Sequence, residues 1–315
     1  MNKMLSVVIP IYNETQIEIG IKRTIGVLEK AEIPYELILV DDGSSNNSWN
    51  EITDLAREYD TITAIALSRN FGKESALCAG LDNVRGGCCI CIDSDMQHPP
   101  EIIPEMYRLW RDEGYEVVEG VKNARIKENP IYRLCANGFY KSLKKMSGID
   151  LQNASDFRLL DKAALDAWKS MPEKETFFRG MSSWIGFRRT QVYFDVAERE
   201  IGTSKWSPKS LIRLGVNAIT SYSSVPLYLA SCFGVLFLLF FVIMIGETLY
   251  MKLSGHAQSG FTTVIILQLI IGSITMINIG IIGIYIKKIY EEVKGRPRYI
   301  IRRIVRGDKT NDDSE

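Results

Sequence analysis

No aspartate, glutamate, lysine or arginine occurs between Arg213 and Glu247, and none between Lys252 and Lys287. Residues 226–250 (PLYLASCFGVLFLLFFVIMIGETLY) and 262–286 (TTVIILQLIIGSITMINIGIIGIYI) fill most of those windows and are almost wholly apolar. Each is about 25 residues long, and a bilayer core needs about 20 residues at ~1.5 Å rise. Helices of a water-soluble core seldom stay apolar beyond about 14 residues. The pair therefore predicts a transmembrane hairpin over 226–286. Its orientation follows from the basic residues. The linker carries only Lys252, with His256. Arg199, Lys205, Lys209 and Arg213 precede the first span, and Lys287, Lys288, Lys294, Arg296 and Arg298 closely follow the second. The positive-inside rule puts both termini in the cytoplasm and the linker outside. The start, MNKMLSVVIPIYNE, has a five-residue apolar run broken by Pro10 and predicts no cleavable signal.

This partition gives an integral membrane protein with four parts. Residues 1–206 form a cytoplasmic domain, 207–225 a juxtamembrane helix, 226–286 the hairpin and 287–315 a basic cytoplasmic tail. In the second part Ser207 and Pro208 suit a helix start, and Leu211, Leu214, Ala218 and Tyr222 share an apolar face beside Lys209 and Arg213, as in a helix lying in the membrane interface. The 38 basic and 38 acidic residues cancel. That balance excludes a protein holding nucleic acid by bulk positive potential. The zero is an average, because nine basic and six acidic residues from 287 onward leave +3 there and −3 elsewhere. Within the tail, residues 298–305 (RYIIRRIV) are β-branched and basic. They read as a lipid-headgroup contact or as a short strand added to a sheet edge, either the chain's own or that of a second copy in a homo-oligomer.

The N-terminal part alternates strands and helices. Apolar runs at Leu5–Ile11, Tyr35–Val40, Ile62–Leu67 and Cys88–Ile92 read as strands. Ile17, Ile21, Ile25 and Leu28, then Trp49, Ile52, Leu55 and Tyr59, read as helix faces. This pattern predicts an α/β fold with a mostly parallel sheet covered on both faces. Cys88, Cys89 and Cys91 fall inside a strand, with no His at ligand spacing, and read as core. Each strand ends in a polar cluster: Asn13-Glu14, Asp41-Asp42-Gly43-Ser44-Ser45, Ser68-Arg69-Asn70 and Asp93-Ser94-Asp95. Singly these are turn residues. Four in register mark the carboxyl edge, where open α/β sheets bind ligands. No GxGxxG follows the first strand and no GxxxxGK[ST] occurs, so the phosphate cradles of dinucleotide enzymes and P-loop hydrolases are absent from the sequence. Asp93-x-Asp95 offers two hard oxygen ligands instead, suited to Mg²⁺ or Mn²⁺ on a diphosphate.

The ordered motifs VVIPIYNE, LVDDGSS, DSDMQHPPE and SDFRLLD resemble the glycosyltransferases of family 2, with the Rossmann-like GT-A fold. SRNFGKE, SDFR, AEREIGTSKW and the hairpin are similar to the polyprenyl-phosphate glycosyltransferases, nearest the bactoprenol glucosyltransferase type and more distantly the dolichol-phosphate mannosyltransferases. The resemblance spans residues 4–305. It implies transfer of a sugar from a nucleotide diphosphate sugar to undecaprenyl or another polyprenyl phosphate, with inversion, at a bacterial inner membrane. It implies that Asp93, Asp95 and Gln97 hold the metal. It also implies that Pro10, Tyr12, Glu14, Asp41, Asp42 and Ser94 line the donor nucleotide site. Asp156 matches the residue near the acceptor often cast as base, with Asp95 its catalytic companion. Arg199, Ser204 and Lys205 match an R-x-x-G-x-S-K element on the acceptor and diphosphate side.

The acceptor phosphate needs further cations. Lys73, Lys122, Arg125 and Arg133, with Arg199 and Lys205, are the candidates, arginine offering a bidentate fork and lysine a point charge. That phosphate has a second pKa near ~6 and is already anionic at neutral pH, so Asp156 is cast as positioning the acceptor or holding a cation rather than as an obligatory base. A structural reading has it pairing with Arg158 or capping a turn. His98 reads as a turn residue before Pro99-Pro100. The donor reads as UDP-glucose, with UDP-galactose, a UDP-amino sugar and GDP-mannose as alternatives, and the lipid product calls for a separate flippase. A processive polysaccharide synthase lacks support because no Gln begins a Q-x-x-R-W pattern. A non-catalytic membrane scaffold is disfavoured by the intact Asp93 and Asp95.

Overall fold

The computed structural model describes residues 3–95, 97–123, 154–171, 173–174, 176–195, 225–255 and 260–307. They fall into two compact units, one holding the two long apolar helices and the other the rest, to which the chain returns from Arg296 onward. The expected interfacial helix over 207–225 lies outside the described residues, apart from its last residue.

In the first unit β1 (Leu5–Ile11), β2 (Tyr35–Asp41), β3 (Ile62–Leu67) and β4 (Cys88–Cys91) are linked through α1 (Ile17–Lys30), α2 (Ser48–Glu58) and α3 (Lys73–Asp82). Then come α4 (Ile103–Glu113), entered through a single 3-10 turn, β5 (Val117–Lys122), β6 (Ala154–Asp161), α5 (Lys162–Lys169), α6 (Phe178–Trp184) and β7 (Arg189–Phe194). The sheet order is β7-β5-β6-β4-β1-β2-β3-β8, where β8 is Ile301–Arg306. Pairings β1–β2, β1–β4, β2–β3 and β5–β7 are parallel. β6 runs antiparallel to both β4 and β5, and β8 antiparallel to β3.

Residue types explain this layering. Every residue of β1 is buried, as a central strand covered on both faces requires. Leu5, Val7, Ile9 and Ile11 face one core with Ile21 and Leu28 of α1, while Val8 faces the other with Leu77 and Leu81 of α3. That is the two-residue alternation of a strand feeding two layers. Cys88, Cys89 and Cys91 are buried in β4. Burial, chiefly, pushes the Cys89 thiol up to about 12, the signature of an inert core cysteine.

The segment 298–305, read as a strand in search of an edge, joins the chain's own sheet at Ile301–Arg306, with Ala64 opposite Val305 and Ile65 opposite Ile304. The approach to it is clamped. Ser68 N–H donates to the Ile300 carbonyl at 2.9 Å, and Tyr299 Oη donates to Asp82 at the end of α3 at 2.6 Å. Arg298 Nε donates to the Glu173 carbonyl at 2.8 Å, its Nη2 to that of Met171, and the guanidinium lies over the Trp168 ring.

The second unit contains α7 (Val225–Leu253, 29 residues) and α8 (Phe261–Val293, 33 residues). At ~1.5 Å rise either exceeds the ~30 Å of a bilayer core. Their large apolar side chains are exposed, among them Leu236, Leu239, Ile243, Leu269 and Ile277. Helix α8 runs past the end expected at 286 because Lys287-Lys288 and Glu291-Glu292 are good helix formers, with Lys287 and Glu291 an i,i+4 pair at 3.6 Å.

Candidate active site

The parallel strands end on one edge, and the polar clusters beyond them interlock. Asn13 Oδ1 accepts from Ser45 N–H at 2.8 Å, and Asn13 N–H donates to Ser44 Oγ at 2.9 Å. The Glu14 carbonyl accepts from Asn46 Nδ2 at 2.9 Å. Asp41 accepts from Ser44 N–H at 3.3 Å, closing the turn after β2. Asp42, almost fully buried, accepts from Phe71 N–H at 2.7 Å and Gly72 N–H at 2.8 Å, and so ties the loop after β3 to the end of β2. Burial pushes its carboxyl upward and the two amides hold it down. Gly43 has φ +67, and a Cβ there would stand 2.4 Å from the Arg69 carbonyl carbon. Only glycine lets the two loops meet this closely.

The result is a cleft of about 320 Å³, the size of a small-ligand pocket, lined by Pro10, Tyr12, Glu14, Asp42, Lys73, Asp93, Ser94 and Asp95 among others. Eight of the residues singled out from the sequence thus share one wall. Asp41, the last residue of β2, does not line this cleft. Gln97 is buried, and its backbone N–H donates to Asp95 Oδ1 at 3.1 Å. Lys122 closes β5, half-buried, and does not line the cleft. Arg125, Arg133, Arg199, Ser204 and Lys205 lie outside the described residues.

His98 lies in a bend before Pro99, as read from its neighbourhood, but it does more than turn the chain. It is buried, stacked on Phe157 at 5.1 Å and edge-on to Phe194 at 5.7 Å. Its Nδ1 accepts from Asp93 N–H at 3.2 Å, so Nε2 carries the proton. Burial holds its pKa below the usual value, which keeps the ring neutral and that acceptor available. His98 therefore fixes the backbone of the Asp93-Ser94-Asp95 loop.

An ion-pair cluster stands at the Asp93 side of the cleft. Lys73 Nζ lies 2.6 Å from Asp93 Oδ1 and 2.5 Å from Asp156 Oδ2. Arg179 grips Asp156 with Nε at 2.6 Å and Nη2 at 3.0 Å. The alternative pairing of Asp156 with Arg158 is not made; Asp156 instead holds two cations, Lys73 and Arg179. Arg158, two positions along β6 and fully buried, donates through Nη1 to the Arg179 carbonyl at 3.0 Å, Ser182 Oγ at 2.6 Å and Ser183 Oγ at 3.0 Å, and it faces Glu119 at 3.4 Å. It docks α6 on the sheet. Asp156 is desolvated, yet Lys73 and Arg179 outweigh that and hold its carboxyl well below the usual range. Both Lys73 and Arg179 are held above their ordinary values by Asp93 and Asp156, against their own burial.

Glu74 and Arg179 escaped the sequence reading. Glu74 Oε2 accepts from Phe178 N–H at 2.8 Å, joining α3 to α6. Burial, with the Asp156 charge adding to it, pushes its carboxyl up to about 7. Since that value exceeds the unfolded one of about 4.3, the folded state binds more protons between the two. Stability is therefore greatest below about 4.3 on this account and falls as pH rises towards 7. Glu74→Gln removes this contribution, and thermal melts of variant and parent between pH 4.5 and 7.5 should diverge, the variant showing the shallower fall as pH rises. Parallel curves would refute the assignment.

Residues 6–167 match the family model for glycosyl transferase family 2. An uncharacterized glycosyltransferase from Synechocystis sp. is 37% identical over 303 residues, 94% of each chain. The chain belongs to glycosyl transferase family 2. A bactoprenol glucosyl transferase of Shigella phage SfII is 33% identical over 311 residues, 96% of this chain and 99% of that one. Among solved structures, glucosyl-3-phosphoglycerate synthase from Mycobacterium tuberculosis in complex with Mn²⁺, UDP-glucose and phosphoglyceric acid aligns with 69% of this chain and 78% of its own, at 18% identity and a TM-score of 0.48. The family 2 match begins in β1 and ends in α5, and so covers every residue lining the cleft.

Proposed function

We propose that this family 2 enzyme transfers glucose from UDP-glucose to undecaprenyl or a related polyprenyl phosphate, with inversion, at the cytoplasmic face of a bacterial inner membrane. The product is a β-linked lipid monosaccharide that donates to cell-envelope glycans after a separate flippase has moved it. One observation carries this reading: a small-ligand cleft lined by four carboxylates and a lysine belongs to a chain that also carries two helices long enough to span a bilayer. The name of the phage relative supports the choice of sugar and lipid. The basic residues around the spans support cytoplasmic placement of both termini and of the unit bearing the cleft.

The donor set fits a divalent cation. Among the described residues no three His, Cys, Asp or Glu side chains converge. Asp93 and Asp95 thus supply two hard oxygens and leave the other positions to a diphosphate and water, the habit of Mg²⁺ and also open to Mn²⁺. The Lys73 ammonium beside Asp93 marks the spot as one that draws positive charge. When bound, the metal supplies Lewis-acid stabilisation of the charge developing on the departing nucleoside diphosphate. The chain does the rest. His98 and Asp42 fix the two loops that carry Asp93 and Lys73. Lys73 offers its charge to the diphosphate side. Asp156 has both oxygens occupied by cations and is held ionised, so it serves to position Lys73 and Arg179. The acceptor phosphate, ionised above ~6, attacks without a side-chain base.

Membranes incubated with a panel of labelled nucleotide sugars should give lipid-extractable label from UDP-glucose in excess over UDP-galactose, a UDP-amino sugar and GDP-mannose, and only with added polyprenyl phosphate. Label in no lipid extract would end this reading, and label from another donor alone would end the choice of glucose.

A further inference from the structure

We propose that Arg179 binds a phosphoryl oxyanion at the Asp93 side of the cleft, through the guanidinium edge that Asp156 leaves free; this rests on the function proposed above. Three observations carry it. First, Arg179 is held at both ends. Its Nε and Nη2 lie on Asp156, while its carbonyl receives a hydrogen bond from the buried Arg158. A guanidinium fixed in plane and position loses little freedom when a ligand arrives. Second, the opposite edge is unused. Nη1 and the second hydrogen of Nη2 have no partner among the described residues, and the side chain is 37% exposed. That edge is the fork that matches two phosphate oxygens.

Third, the charges do not balance once the cleft is in use. Among the described residues Lys73 is shared between Asp93 and Asp156, and Arg179 is ion-paired with Asp156 alone. With a cation on Asp93, Lys73 and Arg179 share one carboxylate and leave a single positive charge in excess. Glu74, half protonated near neutral pH, offsets that excess only in part. An anion completes the cluster. Two phosphoryl groups meet here in the proposed reaction, the donor diphosphate and the acceptor monophosphate, and the chemistry of the fork is the same for both.

Direct binding separates the two sources without relying on turnover. The full chain in detergent is titrated with UDP plus Mn²⁺, and separately with a short-chain polyprenyl phosphate, for the parent, Arg179→Gln and Arg179→Lys. A charged hydrogen-bonded pair of this kind leads us to expect roughly a 10- to 100-fold loss of affinity for one ligand in Arg179→Gln. Arg179→Lys should recover part of it, and the other ligand should be held as before. Loss on the lipid phosphate places the fork at the acceptor, and loss on UDP places it at the donor; either result sustains the proposal. Unchanged affinity for both ligands overturns it. So does loss of both with a lowered melting temperature in both variants, which is the mark of a purely structural arginine. If the parent binds UDP but no polyprenyl phosphate, the proposed acceptor fails, and Arg179 is judged on the UDP arm alone.

Discussion

Asp93→Asn should lower sugar transfer about 10³-fold while leaving the melting temperature within a few degrees of the parent. The substitution keeps the shape of the side chain and leaves the His98 contact intact, because that contact is made by the Asp93 backbone. It removes the negative charge that now pairs with Lys73 at 2.6 Å and that we assign to the metal. Metal stabilisation of a leaving diphosphate is worth several kcal/mol, and each ~1.4 kcal/mol is tenfold in rate. Structural cost is small because Lys73 keeps its partner Asp156 and is partly exposed, where an ion pair contributes little. UDP titrations with and without Mn²⁺ test the same residue independently. The parent should bind UDP more tightly with the metal, and the variant equally with or without it. Transfer at the parental rate, or an undiminished Mn²⁺ effect on UDP, would remove Asp93 from the metal site.

Gly43→Ala should destabilise the first unit by roughly 3 kcal/mol and weaken nucleotide binding with it. A left-handed conformation costs an alanine about 1–2 kcal/mol. Overpacking commonly adds 1–3 kcal/mol. The new Cβ would meet backbone atoms, the Arg69 carbonyl carbon at 2.4 Å and Asn70 N at 2.6 Å, which cannot rotate aside. The loop after β3 would have to retreat, taking with it the Phe71 and Gly72 amides bound to Asp42 and, beyond them, Lys73. Gly26→Ala supplies the contrast: in mid-α1 with nothing near its Cβ, it should gain roughly 0.5–1 kcal/mol. Denaturant melts read both signs, and a neutral Gly43→Ala would show that the two loops are not packed as described.

The parts of the molecule that were legible in advance are those where local pattern and tertiary role agree. The four parallel strands are short apolar runs closed by polar turns, and α1 and α2 have clean helical periodicity. The apolar helices announce themselves by length. Legibility failed on β6, whose sequence ASDFRLLD interrupts an apolar strand with a carboxylate and a guanidinium, both buried. Such residues break the strand pattern because they serve the site rather than the core. Arg179 and Glu74 could not be found for a different reason. Each is an ordinary charge on a helix, given its partner only when α3, α6 and β6 come together. His98 was legible only as a bend before Pro99-Pro100, because its stack on Phe157 and Phe194 depends on strands far away in the chain.

The strand β8 sets an order on how the protein is made. Its partner β3 leaves the ribosome early, yet Ile301–Arg306 emerges only after both apolar helices have been translated. Until then the edge of β3 carries unpaired backbone groups, a template for association with other chains. Domains otherwise fold as they are synthesised, N-terminal part first. Here the last edge of the sheet waits for the far end of the message. A chain cut short inside the hairpin would keep every residue lining the cleft and lack the strand that closes the edge. The complete sheet is thereby reserved for polypeptides that already carry their membrane-spanning segment.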